Sequence, residues 1–193
     1  MNLIFASQNQ NKVKELKSIL PSNLTIQSLS DIGFDEDITE TSLTIEGNSL
    51  LKAQTIYDKY KMNCLSDDTG LEVDFLNGEP GVFSARYAGE NASSKENITK
   101  LLKRLDGVNL RSARFKTIVT LIFEGNVYQF EGIVEGEIAI KEMGLNGFGY
   151  DPVFVPKGSE LSFAQMSASK KNKISHRYLA LKKASNFIEK SLV

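Results

Sequence analysis

The chain carries the sequence ARFKTIVTLIFEGNV at residues 113–127. The odd-numbered residues from 113 to 123 are apolar except for one threonine, and arginine, lysine and threonine occur between them. This alternation is typical of a β-strand with one buried face. Gly125-Asn126 then separates the run from a second extended run that begins at Val127. Because glycine and asparagine favour tight turns, the stretch predicts a long β-hairpin.

Short strands and amphipathic helices are predicted on both sides of the hairpin. The helix signal is strongest at Ser93, because Glu96 follows at the spacing of a capping box. Pro21 is expected to end the first helix. Strands are predicted at residues 3–6 and 24–29, and helices over 13–20, over about 44–61, after Ser93 and from about Ser175.

Composition and charge narrow the classes of function. The 193 residues are 41% hydrophobic and 24% charged, which is typical of one soluble domain. A formal net charge of -1 argues against nucleic acid or a membrane as a partner. The single cysteine, Cys64, cannot form an internal disulfide, and the sequence shows neither a secretory signal nor a long apolar span. We therefore expect a cytoplasmic protein.

A polar loop follows the first predicted strand. It reads SQNQNK over residues 7–12 and leads into the first helix. Backbone N–H groups, small polar side chains and Lys12 near a helix N-terminus would suit a phosphate group. The glycines of a Walker motif are absent, so an ordinary polar turn fits the same residues.

Carboxylates form the second candidate group. Asp67 and Asp68 are expected at a strand end, with Gly70 allowing a tight turn, where they could bind a hard divalent cation and activate water. An Asx-turn would use the same residues. Glu40, at the end of an acidic stretch, is a candidate third carboxylate, although a solvated loop would have the same composition.

Two later segments could recognise a base or add positive charge. Residues 147–152 place two aromatic rings in a glycine-rich loop, where a ring could stack on a base or fill the core. Residues 170–177 contain three lysines, one arginine and the only histidine of the chain, His176. Such a run is more often a solvated surface, and a single histidine is more often structural.

Four motifs together, in this order, carry a family resemblance. They are SQNQNK at 7–12, DDTGLEVDFLNGEPGVFSARYAG at 67–89, GFGYDPVF at 147–154 and ISHR at 174–177. In this order and at this spacing they resemble the inosine triphosphate pyrophosphatase family, from Leu3 to the last helix. The resemblance implies an α/β fold in which a long, twisted mixed β-sheet is flanked by helices in two lobes with a central substrate cleft. Residues 1–193 would form a single bilobed domain.

The resemblance also implies roles for individual residues. Asp68 would be the catalytic general base and a metal ligand, with Glu40 and Asp67 as further acids at the metal. The implied substrate-binding residues are Ser7, Gln8, Asn9, Gln10, Asn11, Lys12, Thr69, Phe148, Gly149, Tyr150, Asp151, Lys171, His176 and Arg177. Lys52 and Arg86 would be further phosphate contacts. Two departures from the family pattern, Ile38-Thr39 and Lys170, fall where acids are common in the family.

The implied function is hydrolysis of non-standard purine nucleoside triphosphates, ITP, dITP, XTP and dXTP, to the monophosphate and pyrophosphate. Mg²⁺, or Mn²⁺ in its place, would be the cofactor, and a homodimer is expected from the resemblance alone. Two alternatives stay open. One is a house-cleaning pyrophosphatase with another base specificity, and the other is a non-catalytic protein, either a nucleotide sensor or a nucleic-acid-binding module that uses residues 170–177.

Overall fold

The structure, a computed structural model, describes residues 2–20 and 24–191. The strands are β1 Asn2–Phe5, β2 Thr25–Ser28, β3 Cys64–Val73, β4 Pro80–Gly81, β5 Ser112–Phe123, β6 Asn126–Ile138 and β7 Phe154–Pro156. The helices are α1 Gln10–Ile19, α2 Ile45–Tyr60, α3 Ser94–Arg104, α4 Ala168–Lys171 and α5 His176–Ser191. Pro21, predicted to end the first helix, lies outside the described residues. No helix within the described ranges has the length and apolar character needed to cross a membrane.

The strands form one mixed sheet. Their order is β2-β1-β3-β5-β6-β7, and β4 pairs with β3 outside this path. β1 is parallel to both β2 and β3, whereas β4 and β7 run antiparallel to β3 and β6. The predicted α/β fold with a mixed sheet and flanking helices is therefore confirmed.

The long hairpin is also confirmed, although its turn lies one residue earlier than predicted. β5 and β6 are neighbours in the sheet, and the chain reverses at Glu124-Gly125. Both turn residues have positive φ, 50° and 81°. Tight turns of this kind match the twist of the strands they join. Asn126, expected in the turn, instead begins β6.

The chain divides into two compact units. Unit 1 comprises residues 1–68, 117–132 and 177–193, and unit 2 comprises residues 69–116 and 133–176. In unit 1, Leu3 and Phe5 pack with residues of α1 and α5, whereas Ile4 and Ala6 pack with residues of α2. Successive strand residues point to opposite faces of a sheet, so helices cover both faces of β1.

Unit 2 has its own hydrophobic core. Residues of β3 and β5 pack there against α3, β7 and the segment that follows β7. Ser93 and Glu96 form the predicted capping box, in which the Ser93 side chain accepts the Glu96 N–H and the Glu96 carboxylate accepts the Ser93 N–H. The predicted helix after Ser93 is therefore confirmed.

Candidate functional site

The polar loop after β1 forms the N-terminal cap of α1. The Asn9 Oδ1 accepts the N–H groups of Asn11 and Lys12 at 3.0 and 3.3 Å, and Ser7 Oγ accepts the Asn9 N–H. Two of the backbone donors that we assigned to phosphate thus bond to Asn9 in this structure, because the first N–H groups of a helix need acceptors. The Gln8 side chain donates to the backbone oxygen of Glu36 at 3.2 Å, and Gln10 is exposed in the first turn of α1.

The adjacent acids Asp67 and Asp68 do not lie at a strand end. They occupy the interior of β3, which continues to Val73, and Gly70 is part of the strand. The predicted turn is therefore wrong, because the apolar residues that follow extend the pairing of β3. Neighbouring residues of a strand point to opposite faces, so the two carboxylates enter different surroundings.

The Asp67 carboxylate belongs to a buried charge network. Lys12 Nζ lies 3.1 Å from Asp67 Oδ1, and Arg177 Nε lies 2.9 Å from Asp67 Oδ2. Arg177 also forms an ion pair with Glu15. Burial by itself raises the pKa of Asp67, but the charges of Lys12 and Arg177 outweigh burial and hold that pKa well below its usual range.

Sequence reasoning did not identify Glu15 as part of the site. Glu15 follows Lys12 by three residues on α1, so both side chains lie on one side of that helix. This spacing was the only signal for it. Glu15 and Asp67 together engage the guanidinium of Arg177, which is 2% exposed. In this structure the Arg177 guanidinium thus binds two carboxylates and is not exposed to solvent, where it could contact a purine.

The Asp68 carboxylate meets α2 and the acidic loop. Lys52 Nζ lies 2.9 Å from Asp68 Oδ1 and 2.6 Å from Glu40 Oε1. Lys52 and Asp68 are both buried. Burial raises the pKa of Asp68, and the charge of Lys52 offsets only part of this effect. One ammonium group therefore joins the two carboxylates, at a position that suits a cation.

The three predicted metal ligands are not brought together. Asp68 and Glu40 share Lys52, whereas Asp67 points to the side of Lys12 and Arg177. Among residues 2–20 and 24–191, no three His, Cys, Asp or Glu side chains form a ready metal site. The alternation of side chains along β3 explains why Asp67 is separated from the other two.

A buried hydroxyl cluster fixes α2 against β3. Ser66 Oγ donates to the backbone oxygen of Ser49 at 2.6 Å, and Ser49 Oγ lies 2.8 Å from Thr120 Oγ1. Ser66 and Ser49 are fully buried. Since Ser49 precedes Lys52 by one helical turn, these bonds fix the position of Lys52 relative to Asp68.

In unit 2, the glycine-rich loop is organised by Asp151. Its Oδ2 accepts the Phe148 N–H at 2.9 Å and the Lys171 Nζ at 2.7 Å. Lys171 Nζ also lies 4.8 Å from the centroid of the Phe148 ring. A Cβ atom at Gly147, where φ is +78°, would lie 2.0 Å from Asp151 Oδ2. The loop therefore needs glycine at 147 to let the Asp151 carboxylate approach.

The two aromatic rings of this loop have different positions. Phe148 is half-buried, next to Gly149 with φ +61°, whereas Tyr150 is 4% exposed and donates its hydroxyl to the backbone oxygen of Ser84 at 2.9 Å. The ring of Tyr150 fills the core of unit 2 and cannot present a face to a base. Of the two alternatives that the sequence left open, core filling therefore holds for Tyr150, whereas Phe148 is half-buried.

The remaining predicted site residues of unit 2 are also placed. His176 is buried, with its ring stacked on Phe115 at a centroid distance of 4.5 Å. Thr69 is half-buried in β3. The Arg86 guanidinium lies over the ring of Phe83, 5.3 Å from its centroid, and its Nε lies 3.7 Å from the Glu90 carboxylate.

Comparison with known proteins gives one consistent family. The model of the Ham1 family matches residues 3–187. The chain is 54% identical over 177 residues to a dITP/XTP pyrophosphatase of Flavobacterium johnsoniae, and the aligned region covers 92% of each chain. It is 45% identical over 193 residues to the dITP/XTP pyrophosphatase of Bacillus licheniformis, covering 98% of each.

Solved structures agree with the sequence relatives. The structure of the Staphylococcus aureus Ham1 protein matches with a TM-score of 0.91 at 39% identity, covering 99% of this chain and 100% of that one. A nucleoside-triphosphatase, dITP/XTP pyrophosphatase, of Mycobacterium abscessus matches with a TM-score of 0.79 at 37% identity, covering 95% and 98%. The resemblance seen in the four sequence motifs is confirmed, and the chain belongs to the Ham1 family.

Proposed function

We propose that this chain hydrolyses dITP, ITP and XTP to the nucleoside monophosphate and pyrophosphate, with Asp68 as the general base. Its family and its similarity to dITP/XTP pyrophosphatases over nearly the whole chain make it a nucleoside triphosphate hydrolase. The observation that supports Asp68 is geometric. Asp68 and Glu40 converge on one buried ammonium group, so two carboxylates that could hold a divalent cation lie near each other.

The residues around Lys52 fit a divalent cation. Glu40 and Asp68 supply carboxylate oxygens, which are the ligands that Mg²⁺ prefers and that Mn²⁺ also accepts. The Lys52 ammonium group already lies between these carboxylates, so their charge pattern suits a cation. We propose that Glu40 and Asp68 hold the metal and that Asp67 takes no part in binding it. A metal bound there would neutralise phosphate charge and lower the barrier to attack.

Asp68 is suited to accept a proton from water. Its carboxylate is buried, and burial raises its pKa, which makes the carboxylate more basic than an exposed one. We propose that a water molecule attacks the α-phosphorus and gives its proton to Asp68. The bond between the α-phosphorus and the oxygen that bridges to the β-phosphorus breaks, and pyrophosphate leaves with that oxygen.

The charge network of Lys12 would hold the phosphate chain. Lys12 Nζ is directed by Asp67, and Asp67 is in turn held by the buried Arg177. The ammonium group of a lysine placed in this way would attract the negative charges of a triphosphate. The side chains of residues 7–11 would add hydrogen bonds, with Asn9 keeping the start of α1 in its capped form.

Unit 2 carries the residues that we propose for the base. Phe148 presents a half-buried ring, and Lys171 with Asp151 fixes the loop that bears it. A base can stack on such a ring. Together with His176, hydrogen-bond donors of this loop would favour the 6-oxo group of hypoxanthine and xanthine over the 6-amino group of adenine.

The compartment and the assembly follow from the proposed substrate and family. We propose that the protein acts in the cytoplasm, where the nucleoside triphosphate pool is. We also propose a homodimer, which the family resemblance implies.

A screen of pyrophosphate release tests the proposal. Natural and deaminated nucleoside triphosphates are supplied one at a time with Mg²⁺, and pyrophosphate and monophosphate are quantified. We expect dITP, ITP and XTP to be the best substrates. Preference for a pyrimidine nucleotide would indicate another house-cleaning specificity, and nucleotide binding without pyrophosphate release would contradict hydrolysis.

A further inference from the structure

Asn48 is a fully buried polar residue that the proposed mechanism does not use. It lies on α2 one helical turn before Lys52 and is 0% exposed. Its Oδ1 accepts the backbone N–H of Ser42 at 2.9 Å. Its Nδ2 has no hydrogen-bond partner among the described residues. A buried donor without an acceptor destabilises a fold, and an apolar residue of similar size avoids this penalty. Packing alone therefore does not explain asparagine at this position.

The bond to Ser42 acts on the segment that carries Glu40. Residues 34–42 have no helix or strand, so side chains from elsewhere must hold this segment. Gln8 and Lys59 hold it at Glu36. The bond from Asn48 holds it at Ser42, two residues beyond Glu40.

The geometry links the position of Glu40 to α2. Asn48 and Lys52 lie on the same face of one rigid helix, so the anchor at Ser42 and the ammonium that meets Glu40 have a fixed separation. Glu40 Oε1 can then lie 2.6 Å from Lys52 Nζ, where Asp68 is the second partner. We infer that Asn48 is a positioning residue that anchors the acidic loop and so holds the Glu40 carboxylate beside Lys52 and Asp68. This inference rests on the proposed function, since it assigns Glu40 to the reaction site.

The substitution Asn48→Leu tests the inference. Leucine has a similar size and removes both the acceptor for Ser42 and the unpartnered donor. In metal-free protein, we expect the Ser42 amide to exchange with solvent at least about tenfold faster, as measured residue by residue by NMR. The Tm should fall by no more than about 4 °C, because the substitution removes the unpartnered Nδ2 donor at the same time as the hydrogen bond to Ser42. The kcat/KM for dITP should fall by at least about tenfold, since small misplacements of reacting groups are costly.

A matched control separates positioning from general stability. Asn63 Oδ1 accepts the Glu124 N–H at 2.8 Å and holds the turn between β5 and β6 in the same way. Asn63→Leu should speed exchange at Glu124 and leave Ser42 exchange and kcat/KM near wild-type values. Asn48→Asp keeps an acceptor at the same atom, so it should restore slow exchange of the Ser42 amide.

Two variants on the loop side keep the test decisive if Asn48→Leu does not fold. Ser42→Pro removes the N–H that Asn48 accepts, whereas Ser42→Ala keeps that N–H and removes only the hydroxyl. We expect a loss of kcat/KM of at least about tenfold for Ser42→Pro beyond any loss in Ser42→Ala.

Two results would overturn the inference. One is an unchanged Ser42 exchange rate in Asn48→Leu, and the other is faster exchange while kcat/KM stays within about twofold of wild type. Failure of the wild type to release pyrophosphate from any nucleotide would instead contradict the proposed function. The exchange measurement on metal-free protein would still report whether Asn48 anchors the loop.

Discussion

Replacing Lys52 by methionine should convert a charge-balanced cluster into two adjacent carboxylates without a cation. Lys52 Nζ lies 2.6 Å from Glu40 Oε1 and 2.9 Å from Asp68 Oδ1. The side chains of Lys52 and Asp68 are only 10% and 9% exposed. Methionine keeps most of the length and apolar contact of lysine and removes only the charge. The variant therefore isolates the role of the ammonium group.

The expected loss of stability follows from the burial of the three groups. Removing one partner of a buried ion pair costs about 3–5 kcal/mol, because the remaining charge is left without a partner. The Glu40 side chain is 28% exposed, so water can solvate part of its charge. We therefore expect the lower end, about 3 kcal/mol, which corresponds to a decrease in Tm of about 6–12 °C for a chain of this length.

Thermal melting with and without Mg²⁺ measures both the loss and its recovery. In EDTA, Lys52→Met should show the full decrease in Tm. With saturating Mg²⁺, the difference from wild type should shrink by at least half, because the divalent cation supplies the positive charge that lysine supplied and binds only the folded state. The rise in Tm caused by Mg²⁺ should thus be larger in the variant than in wild type.

Lys59→Met provides a matched control. Lys59 lies on the same helix and also pairs with an acid of the same loop, Glu36, at 2.6 Å, but the two side chains are 46% and 70% exposed. Exposed pairs contribute about 1 kcal/mol or less, so the Tm should change by no more than about 4 °C and independently of Mg²⁺. Equal losses in Lys52→Met with and without Mg²⁺ would refute a metal site at Glu40 and Asp68. A change as small as that of the control would refute the buried ion pair itself.

Other expected outcomes concern the proposed general base Asp68, the selection among purine substrates and the stability of the protein at low pH. Asp68→Asn should keep the fold but lose at least about 100-fold in kcat. If the variant kept more than roughly a tenth of the wild-type kcat, this would contradict Asp68 as the general base. Wild-type kcat/KM for dITP and XTP should exceed that for dATP and dGTP by about 100-fold, and similar values for dGTP and dITP would contradict purine selection. The folded state lowers the pKa of Asp67 below its unfolded value of about 3.9, so Asp67 stabilises the metal-free protein above that pH and loses this effect as pH falls. In melting curves over a pH series, the Tm of Asp67→Asn should therefore decrease less at acidic pH than the Tm of the wild type.

The hairpin and the helix after Ser93 could be predicted because local sequence and tertiary structure agree there. Alternation along residues 113–123 and the capping box at Ser93 each specify one local structure. The position of Asp67 and Asp68 could not be predicted in this way. Aspartate and glycine favour turns, but pairing within the sheet keeps these residues in a strand.

The candidate site shows the same division between local and long-range information. The motifs identified the chemistry of the residues, but contacts between distant segments decide what each side chain meets. Arg177 meets Asp67, which is 110 residues away in sequence. Tyr150 reaches the backbone of Ser84, 66 residues away, so its ring is buried while Phe148 stays half-exposed. Spacing along the chain contains no information about either contact.

The period of a β-strand explains how two identical neighbouring residues acquire different roles. Leu65 packs in the cluster of α1 and α5, and Asp67, two residues on, meets Lys12 and Arg177 from the same helices. Asp68 points the other way, to Lys52 of α2. The pKa of Asp67 is lowered and that of Asp68 is raised, so one carboxylate stays ionised while its neighbour is the better base. A pair of aspartates in a strand therefore places the charge anchor Asp67 and the proposed general base Asp68 in different surroundings.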